Sequence, residues 1–283
     1  MTRGQDIVFS RRGLKGRLMN FETIILEEKE GIATIIFNRG KVFNAYSEKM
    51  SEELRVAVTD VAQKPSIRIL VLRGSGGNFM AGADINMLNY WSKTADEQGW
   101  QKVKEILDHH FSPTLLEELS QPVIAAVDGM AWGMGSEIAL ACDFRICTDR
   151  ASFAQPEITL GTITGGGASQ RLPRIVGKAK AMEMILTGTP IKADEAYQWG
   201  LVNQVVPPVE LDSAVEGLGK KIMAKSPLMV KWAKECVNLV LDHDLLSGID
   251  KELTQFSKTF ATYDCKEGTA AFLEKRKPNF IGK

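Results

Sequence analysis

The 283-residue chain has few of the residues that build metal centres and disulfide frameworks, and it has no excess of basic residues. It contains three histidines and four cysteines. Because no two cysteines form a CxxC pair and their spacing is irregular, they do not indicate a disulfide framework, and we expect a reducing, cytoplasmic location. Basic and acidic residues balance at 35 each. This balance argues against nucleic acid or an anionic membrane as a partner.

Several motifs and segment types are also missing. No apolar run approaches the roughly 20 residues that span a bilayer, and no secretory h-region is present. The chain has no GK[ST] phosphate loop and no GxSxG elbow, and Gly133-x-Gly135 lacks the third glycine of a dinucleotide loop. The pair Cys142 and Cys147 is interpreted as core rather than as a metal site. We therefore expect no metal and no redox cofactor.

Residues 1–18 form a basic N-terminal extension that carries a single acidic residue, Asp6. We interpret it as a non-essential segment upstream of a natural start at Met19. An organelle-targeting peptide is the alternative, although such peptides are rich in serine and this segment has only Ser10.

Residues 19–206 alternate strand-like and helix-like patterns, which predicts an α/β core. Strands are predicted over residues 23–28, 32–37, 67–72, 123–127 and 144–147, and a helix over 48–62. Residues 207–283 give no strand signal and predict helices over 211–223, 227–241, 245–260 and 266–275. The apolar faces of these last helices pack either on another subunit or on their own core.

Two glutamates beside glycine-rich segments are the strongest indication of chemistry. Glu137 ends a stretch that starts at Gly129, and Glu157 precedes the loop over residues 161–165. Glycine lets backbone N–H groups approach a ligand closely, and a helix begins near Gly135 with unpaired N–H groups. Two carboxylates beside such donors suit general acid/base work on a polarised carbonyl. The alternatives are solvated surface glutamates and a tight strand-to-helix joint.

A third segment, residues 75–84, follows the predicted strand 67–72. Its small residues Ala81, Gly82 and Ala83 permit close backbone approach to a ligand. The alternative is a plain strand-to-helix connection in which Asp84 caps the helix.

Together these segments resemble the crotonase (enoyl-CoA hydratase/isomerase) superfamily from about Phe21 to Phe280. The matching pieces occur in order and are, in this numbering, 37–39, 43–45, 79–85, 121–129, 133–137, 141–143, 153–157, 161–165, 170–172, 196–202, 226–227 and 272–277. The resemblance implies a crotonase-like spiral of ββα units with a helical C-terminal oligomerisation region. It also implies an acyl-CoA thioester substrate and a homotrimer or homohexamer. Coenzyme A would then be part of the substrate rather than a separate cofactor.

The resemblance also implies roles for individual residues. The oxyanion hole would use the N–H groups of Ala81 and Met134, while Glu137 and Glu157 handle protons and water. Gly165 would lie near the reacting carbon. The residues implied in coenzyme A binding are Ala83, Asp84, Ile85, Phe272 and Lys275, the last two partly across a subunit interface.

Since both glutamate positions are filled, the resemblance favours an enoyl-CoA hydratase that adds water syn across the 2,3 double bond. Alternatives within the superfamily are an enoyl-CoA isomerase, a cyclic dienoyl-CoA hydratase and an acyl-CoA thioester hydrolase. An alternative of another class is a non-catalytic CoA-thioester or RNA-binding protein on the same fold.

Two departures from the superfamily pattern concern the acyl pocket. Met134 stands where hydratases commonly have glycine, and the stretch 85–121 is several residues longer than in short-chain hydratases. We therefore hypothesise a bulky or cyclic acyl group, with Trp91 or Trp132 in the wall of its pocket.

Overall fold

The computed structural model describes residues 20–283, so the predicted extension 1–18 lies outside the described residues. Nine strands form two sheets: β1 (Ile24–Lys29), β2 (Ile32–Phe37), β3 (Ile69–Gly74), β4 (Val123–Val127), β5 (Met130–Trp132), β6 (Phe144–Thr148), β7 (Ser152–Ala154), β8 (Ile191–Lys192) and β9 (Gln204–Val206). The larger sheet has the order β1-β2-β3-β4-β6-β9, and the smaller has β5-β7-β8. All pairs in the larger sheet are parallel except β1 with β2.

Twelve α-helices accompany these strands in the described part of the chain. They are α1 (Glu48–Ala62), α2 (Ile85–Gln98), α3 (Trp100–Asp108), α4 (Thr114–Glu117), α5 (Met134–Ala141), α6 (Ala168–Val176), α7 (Lys178–Thr187), α8 (Ala193–Gln198), α9 (Leu211–Met223), α10 (Pro227–Asn238), α11 (Leu245–Thr259) and α12 (Tyr263–Leu273). Short 3-10 turns at Gly40–Val42, Pro156–Leu160, Pro208–Glu210 and Leu239–Leu241 complete the list. None of these helices is both long and apolar enough to cross a bilayer.

The chain repeats one path three times as it leaves the larger sheet. After β3, β4 and β6 it passes to the smaller sheet, at a bridge of Met80 with Ala131, at β5 and at β7. It then turns towards a helix, which is α2, α5 and, after the turn at Pro156–Leu160, α6. The three turns that follow the smaller sheet therefore lie side by side. This repetition gives Ala83, Met134 and Glu157 comparable positions in neighbouring units.

Side chains of the larger sheet alternate between two cores, as expected for strands covered on both faces. Leu70 and Leu72 of β3 join the main core with α1 and α5. Ile69 and Val71 point the other way, into a smaller core that Leu211 and other residues of α9 cover. The central strand β4 is buried at every position. Burial on both faces explains why these strands carry continuous apolar runs.

The predicted strand–strand–helix rhythm is present, and the bounds of β2, β4, α1 and α9 agree with those predicted. The prediction placed β3 two residues too early, because Ile67 is buried ahead of the strand and resembles it in pattern. Helix α12 starts and ends earlier than predicted, since the hydroxyl of Thr262 caps it by accepting from the Cys265 N–H at 3.1 Å. In residues 20–283 no strand follows Val206, although the division into units at residue 207 stays a prediction.

Candidate active site

The start of α5 is a turn that requires glycine on both sides of Met134. Gly133 has φ +50°, a conformation that favours glycine, and its N–H donates to Ala154 O at 2.9 Å. A methyl group on Gly135 would overlap the carbonyl oxygen of Met80. This close packing fixes the N–H of Met134 at the positive end of the helix dipole.

Hydrogen bonds decide which backbone donors around residues 80–84 are free. The N–H of Ala81 donates to Phe43 O at 3.0 Å, and that of Asp84 donates to Tyr46 O at 2.8 Å. Within the described residues, the N–H groups of Ala83 and Met134 donate no hydrogen bond. The expected role of Ala81 as an oxyanion donor is therefore not supported, because its donor is already engaged. The geometry favours Ala83 instead.

The turn at Gly82–Ala83 lies directly against the turn at Gly133. A methyl group on Gly133 would lie 3.4 Å from Gly82 Cα and 3.3 Å from Glu157 Oε1. A methyl group on Gly82 would in turn lie 3.4 Å from Trp132 O. The two free donors and the carboxylate of Glu157 therefore lie around one junction, where the backbone can approach a ligand closely.

Glu137 extends from α5 into the glycine loop that precedes α6. It is only 2% exposed, and its Oε1 accepts from the N–H of Gly166 at 2.7 Å and of Ala168 at 3.2 Å. A methyl group on Gly166 would lie 2.6 Å from Oε2. Gly166 is thus the loop glycine in contact with Glu137. The neighbouring Gly165 faces open space, and its expected place near the reacting carbon stays a prediction.

Burial raises the pKa of both glutamates, and the charge of Glu137 adds to the shift at Glu157. Burial and then the charge of Glu137 raise the pKa of Glu157 to about 7, and its buried Oε2 has no hydrogen-bond partner in the described structure. Burial also raises the pKa of Glu137, opposed by the N–H groups of Ala168 and Gly166 and by the charge of Arg171. Two neighbouring carboxyl groups whose pKa values are raised by burial, that of Glu157 to about 7, suit proton transfer at physiological pH.

The residues expected to bind coenzyme A fall into two separate places. Asp84 caps α2 by accepting from the Asn86 N–H at 3.0 Å and pairs with Arg39 at 3.0 Å, and Ile85 begins that helix half-exposed. These residues and Ala83 adjoin the glutamate site. Phe272 is 84% exposed near the end of α12, and Lys275 follows the helix with φ +54°. No described contact within the chain brings either of these two to the glutamates.

The two tryptophans proposed for the acyl pocket have different surroundings. The indole of Trp91 meets the ring of His110 edge-on at 5.3 Å and packs on the main core. Trp132 donates from Nε1 to Ser152 Oγ at 3.0 Å and lies next to Gly133 in the chain. The side chain of Met134 is partly buried and packs on the main core. Trp132 is therefore the better candidate for a wall near the site.

A cavity of about 840 Å³ lies under the far end of α5, away from the glutamates. Its lining includes Leu140, Asp143, Lys225 and Val237 but neither glutamate.

The chain is similar over most of its length to known proteins. Residues 27–283 match the family described as enoyl-CoA hydratase/isomerase. A crotonyl-CoA hydratase of Syntrophomonas wolfei is 43% identical over 94% of this chain and 100% of its own length. The mitochondrial enoyl-CoA hydratase of Pongo abelii is 40% identical over 92% of this chain and 88% of its own.

A solved structure, enoyl-CoA hydratase from Bacillus anthracis, has a TM-score of 0.83 at 34% identity, covering 93% of this chain and 100% of that one. This similarity confirms the crotonase fold with its helical C-terminal region. Matches that cover nearly the whole chain, in sequence and in structure, leave one assignment: the chain belongs to the enoyl-CoA hydratase/isomerase family.

Proposed function

We propose that this protein is an enoyl-CoA hydratase that adds water syn across the 2,3 double bond of an acyl-CoA thioester. The observation that carries the proposal is the meeting of four groups, namely the free N–H groups of Ala83 and Met134 and the carboxyls of Glu137 and Glu157. The hydratase names of the relatives at 43% and 40% identity support the same activity.

The two backbone donors serve the thioester carbonyl. Addition of water at C3 moves negative charge onto the thioester oxygen, which gives an enolate-like intermediate. The N–H groups of Ala83 and Met134 are already oriented by the turns around them, so they stabilise this charge without further reorganisation. Met134 would donate from the backbone, so this contact does not depend on its side chain, which packs on the main core.

Burial raises the pKa of both carboxyls, but their hydrogen bonds differ and support different roles. The N–H bonds from Gly166 and Ala168 favour the ionised form of Glu137, which suits a base that takes a proton from water. The unpartnered oxygen of Glu157 and its pKa of about 7 favour the protonated form, which suits an acid that donates to C2. In each turnover Glu137 gains a proton from water and Glu157 loses one to C2. Exchange with solvent then removes the proton from Glu137 and returns one to Glu157, which restores the starting state.

The identity of the product tests the activity. We expect crotonyl-CoA to lose its enoyl-thioester absorbance and to yield 3-hydroxyacyl-CoA, with no release of free coenzyme A thiol. Thiol release would identify a thioester hydrolase. A shifted double bond without water uptake would identify an isomerase, and unchanged absorbance with binding would identify a non-catalytic protein. Any of these three outcomes would contradict the proposal.

Assembly into trimers or hexamers is part of the proposal. One side of α11 carries a row of exposed apolar side chains, Leu245, Ile249, Leu253, Phe256 and, just beyond the helix, Phe260. A continuous apolar row of this kind is typical of a face that packs on another chain. A cytoplasmic location is likewise proposed, supported by four free thiols. The chemistry requires no metal or redox group, and coenzyme A enters only with the substrate.

A further inference from the structure

An ion pair behind the glycine loop connects that loop to the rest of the fold. Arg171, on the first turn of α6, donates from Nε and Nη2 to the two oxygens of Glu117, both at 2.7 Å. Nη2 also donates to Thr114 Oγ1 at 3.0 Å. The side chains of Arg171 and Glu117 are only 12% and 19% exposed. A bidentate ion pair with this little exposure stabilises the fold and fixes the geometry of both side chains.

The same guanidinium holds the loop that orients Glu137. Arg171 Nη1 donates to the carbonyl oxygen of Gly166 at 2.9 Å, and the N–H of Gly166 donates to Glu137 Oε1 at 2.7 Å. A methyl group on Gly167 would overlap Nη1, so glycine is what lets the guanidinium lie against the loop. Gly166 is thus fixed at its carbonyl by Arg171, while its N–H fixes the carboxylate.

Glu117 is itself held from the C-terminal region. Asn238 of α10 donates from Nδ2 to Glu117 O at 3.2 Å. Lys234 of the same helix donates to Leu116 O at 3.0 Å and pairs with Asp143 at 2.7 Å. Because α4 is anchored in this way, it presents Glu117 to Arg171 from a fixed position rather than from a mobile loop.

We propose that Arg171 and Glu117 are positioning residues that hold the Gly166–Ala168 backbone, and through it Glu137, in the orientation needed to activate water. This inference rests on the proposed role of Glu137. Neither residue is proposed to touch the substrate. Both act through the backbone N–H groups from which Glu137 accepts, and the charge of Arg171 also favours the ionised form of Glu137. Displacing a reacting carboxylate by about 1 Å is enough to lower a rate about 100-fold.

The test uses Arg171→Lys and Glu117→Gln in the full chain, with Arg174→Lys as the matched control. Arg174 lies on the same helix but is exposed and bonds only to Gln170. Lysine keeps the charge of Arg171 but cannot bridge Glu117 and Gly166 as a fork does. With crotonyl-CoA we expect kcat to fall about 10- to 100-fold in both variants, with KM within about threefold of wild type. The control should keep the wild-type kcat.

A second arm repeats both substitutions in a Glu137→Gln background. If the pair acts through Glu137, each should reduce the residual rate by less than about twofold, because the group being positioned is already gone. Full additivity of the losses, or a wild-type kcat in both single variants, would overturn the proposal. Glu117→Gln is isosteric, so it remains informative if Arg171→Lys proves unstable. A wild-type rate in Glu137→Gln alone would instead refute the proposed role of Glu137.

Discussion

At the scale of single residues, the burial of Glu157 supplies a proton donor but destabilises the fold when the carboxyl is ionised. Its carboxyl is half-buried beside Gly133, and one of its oxygens lacks a partner among the described residues. An unpaired charge in such a place is unfavourable, which is why its pKa rises from an ordinary value of 4.5 to about 7. The same shift supplies a protonated acid near neutral pH.

We predict that Glu157→Gln stabilises the ligand-free protein in a pH-dependent way. The folded protein binds the Glu157 proton more tightly than the unfolded chain, so wild-type stability falls as pH rises from about 4.5 to about 7. The gain from glutamine should be absent at pH 4, increase through that interval and level off above it. Melting temperatures of both proteins from pH 4 to 8 measure this. A constant difference across the range would contradict it.

The pH dependence of catalysis should follow the same group. If Glu157 donates the proton at C2, kcat/KM for hydration of crotonyl-CoA should decline above about pH 7. Because the reaction takes up no net proton, kcat/KM for dehydration of 3-hydroxybutyryl-CoA should decline in parallel. Activity recovered after return to pH 7 separates this titration from general instability. A kcat/KM for hydration that stays constant or rises from pH 6 to 9 would contradict the assignment.

At the scale of elements, the turn between β5 and α5 is determined by close backbone packing. Gly135 lies against the Met80 carbonyl, and the N–H of Trp132 donates a hydrogen bond to the same carbonyl oxygen at 2.9 Å. This contact ties the two turns that carry the free N–H groups. The distance between those donors therefore depends on a glycine that touches no substrate.

We predict that Gly135→Ala lowers the free energy of unfolding by about 1–3 kcal/mol and removes most hydratase activity. The added methyl would push against backbone rather than against a flexible side chain. The matched control is Gly217→Ala in α9, where a methyl meets open space. That change should raise stability by about 0.5–1 kcal/mol, since alanine favours helix. Denaturant unfolding and crotonyl-CoA turnover measure both variants. Equal changes in unfolding free energy and turnover in the Gly135→Ala and Gly217→Ala variants would refute the packing argument.

The elements and the carboxylate pair were accessible from sequence, but the hydrogen-bond partners were not. Periodicity located β4 and α1 correctly because each has a buried face with a clear period. The choice of Ala81 over Ala83 failed because both are small residues in one turn, and only the pairing with Phe43 shows which donor is engaged. Segment 170–172 matched the superfamily pattern, but the sequence did not show what Arg171 binds, since Glu117 lies 54 residues away in the chain.

At the scale of the whole molecule, the exposed apolar row on α11 has no cover within the described chain. The rings of Phe256 and Phe260 stack edge-on at 5.0 Å, which extends the row past the end of the helix. Side chains of this size in water are unfavourable unless another surface covers them. A second copy of the chain is the proposed cover.

We predict that Leu253→Glu with Phe256→Glu dissociates the assembly. Each carboxylate would be desolvated in an apolar contact, which is strongly unfavourable. Ser257→Glu, which adds one carboxylate beside the row, is the control and should leave the assembly intact. Sedimentation velocity should show a trimer or hexamer for wild type and control, and a smaller species for the double variant. A monomeric wild type would contradict the proposed assembly.

The most direct test of the account compares crotonyl-CoA hydration by wild type, Glu137→Gln, Glu157→Gln and the double variant. Glutamine preserves shape but can neither take nor give the proton, so we predict that each single change lowers kcat about 100-fold or more. Because the two groups act on one reaction, the double variant should lose less than the product of the single losses. Near-wild-type hydration by folded Glu137→Gln and Glu157→Gln would contradict the two-carboxylate mechanism.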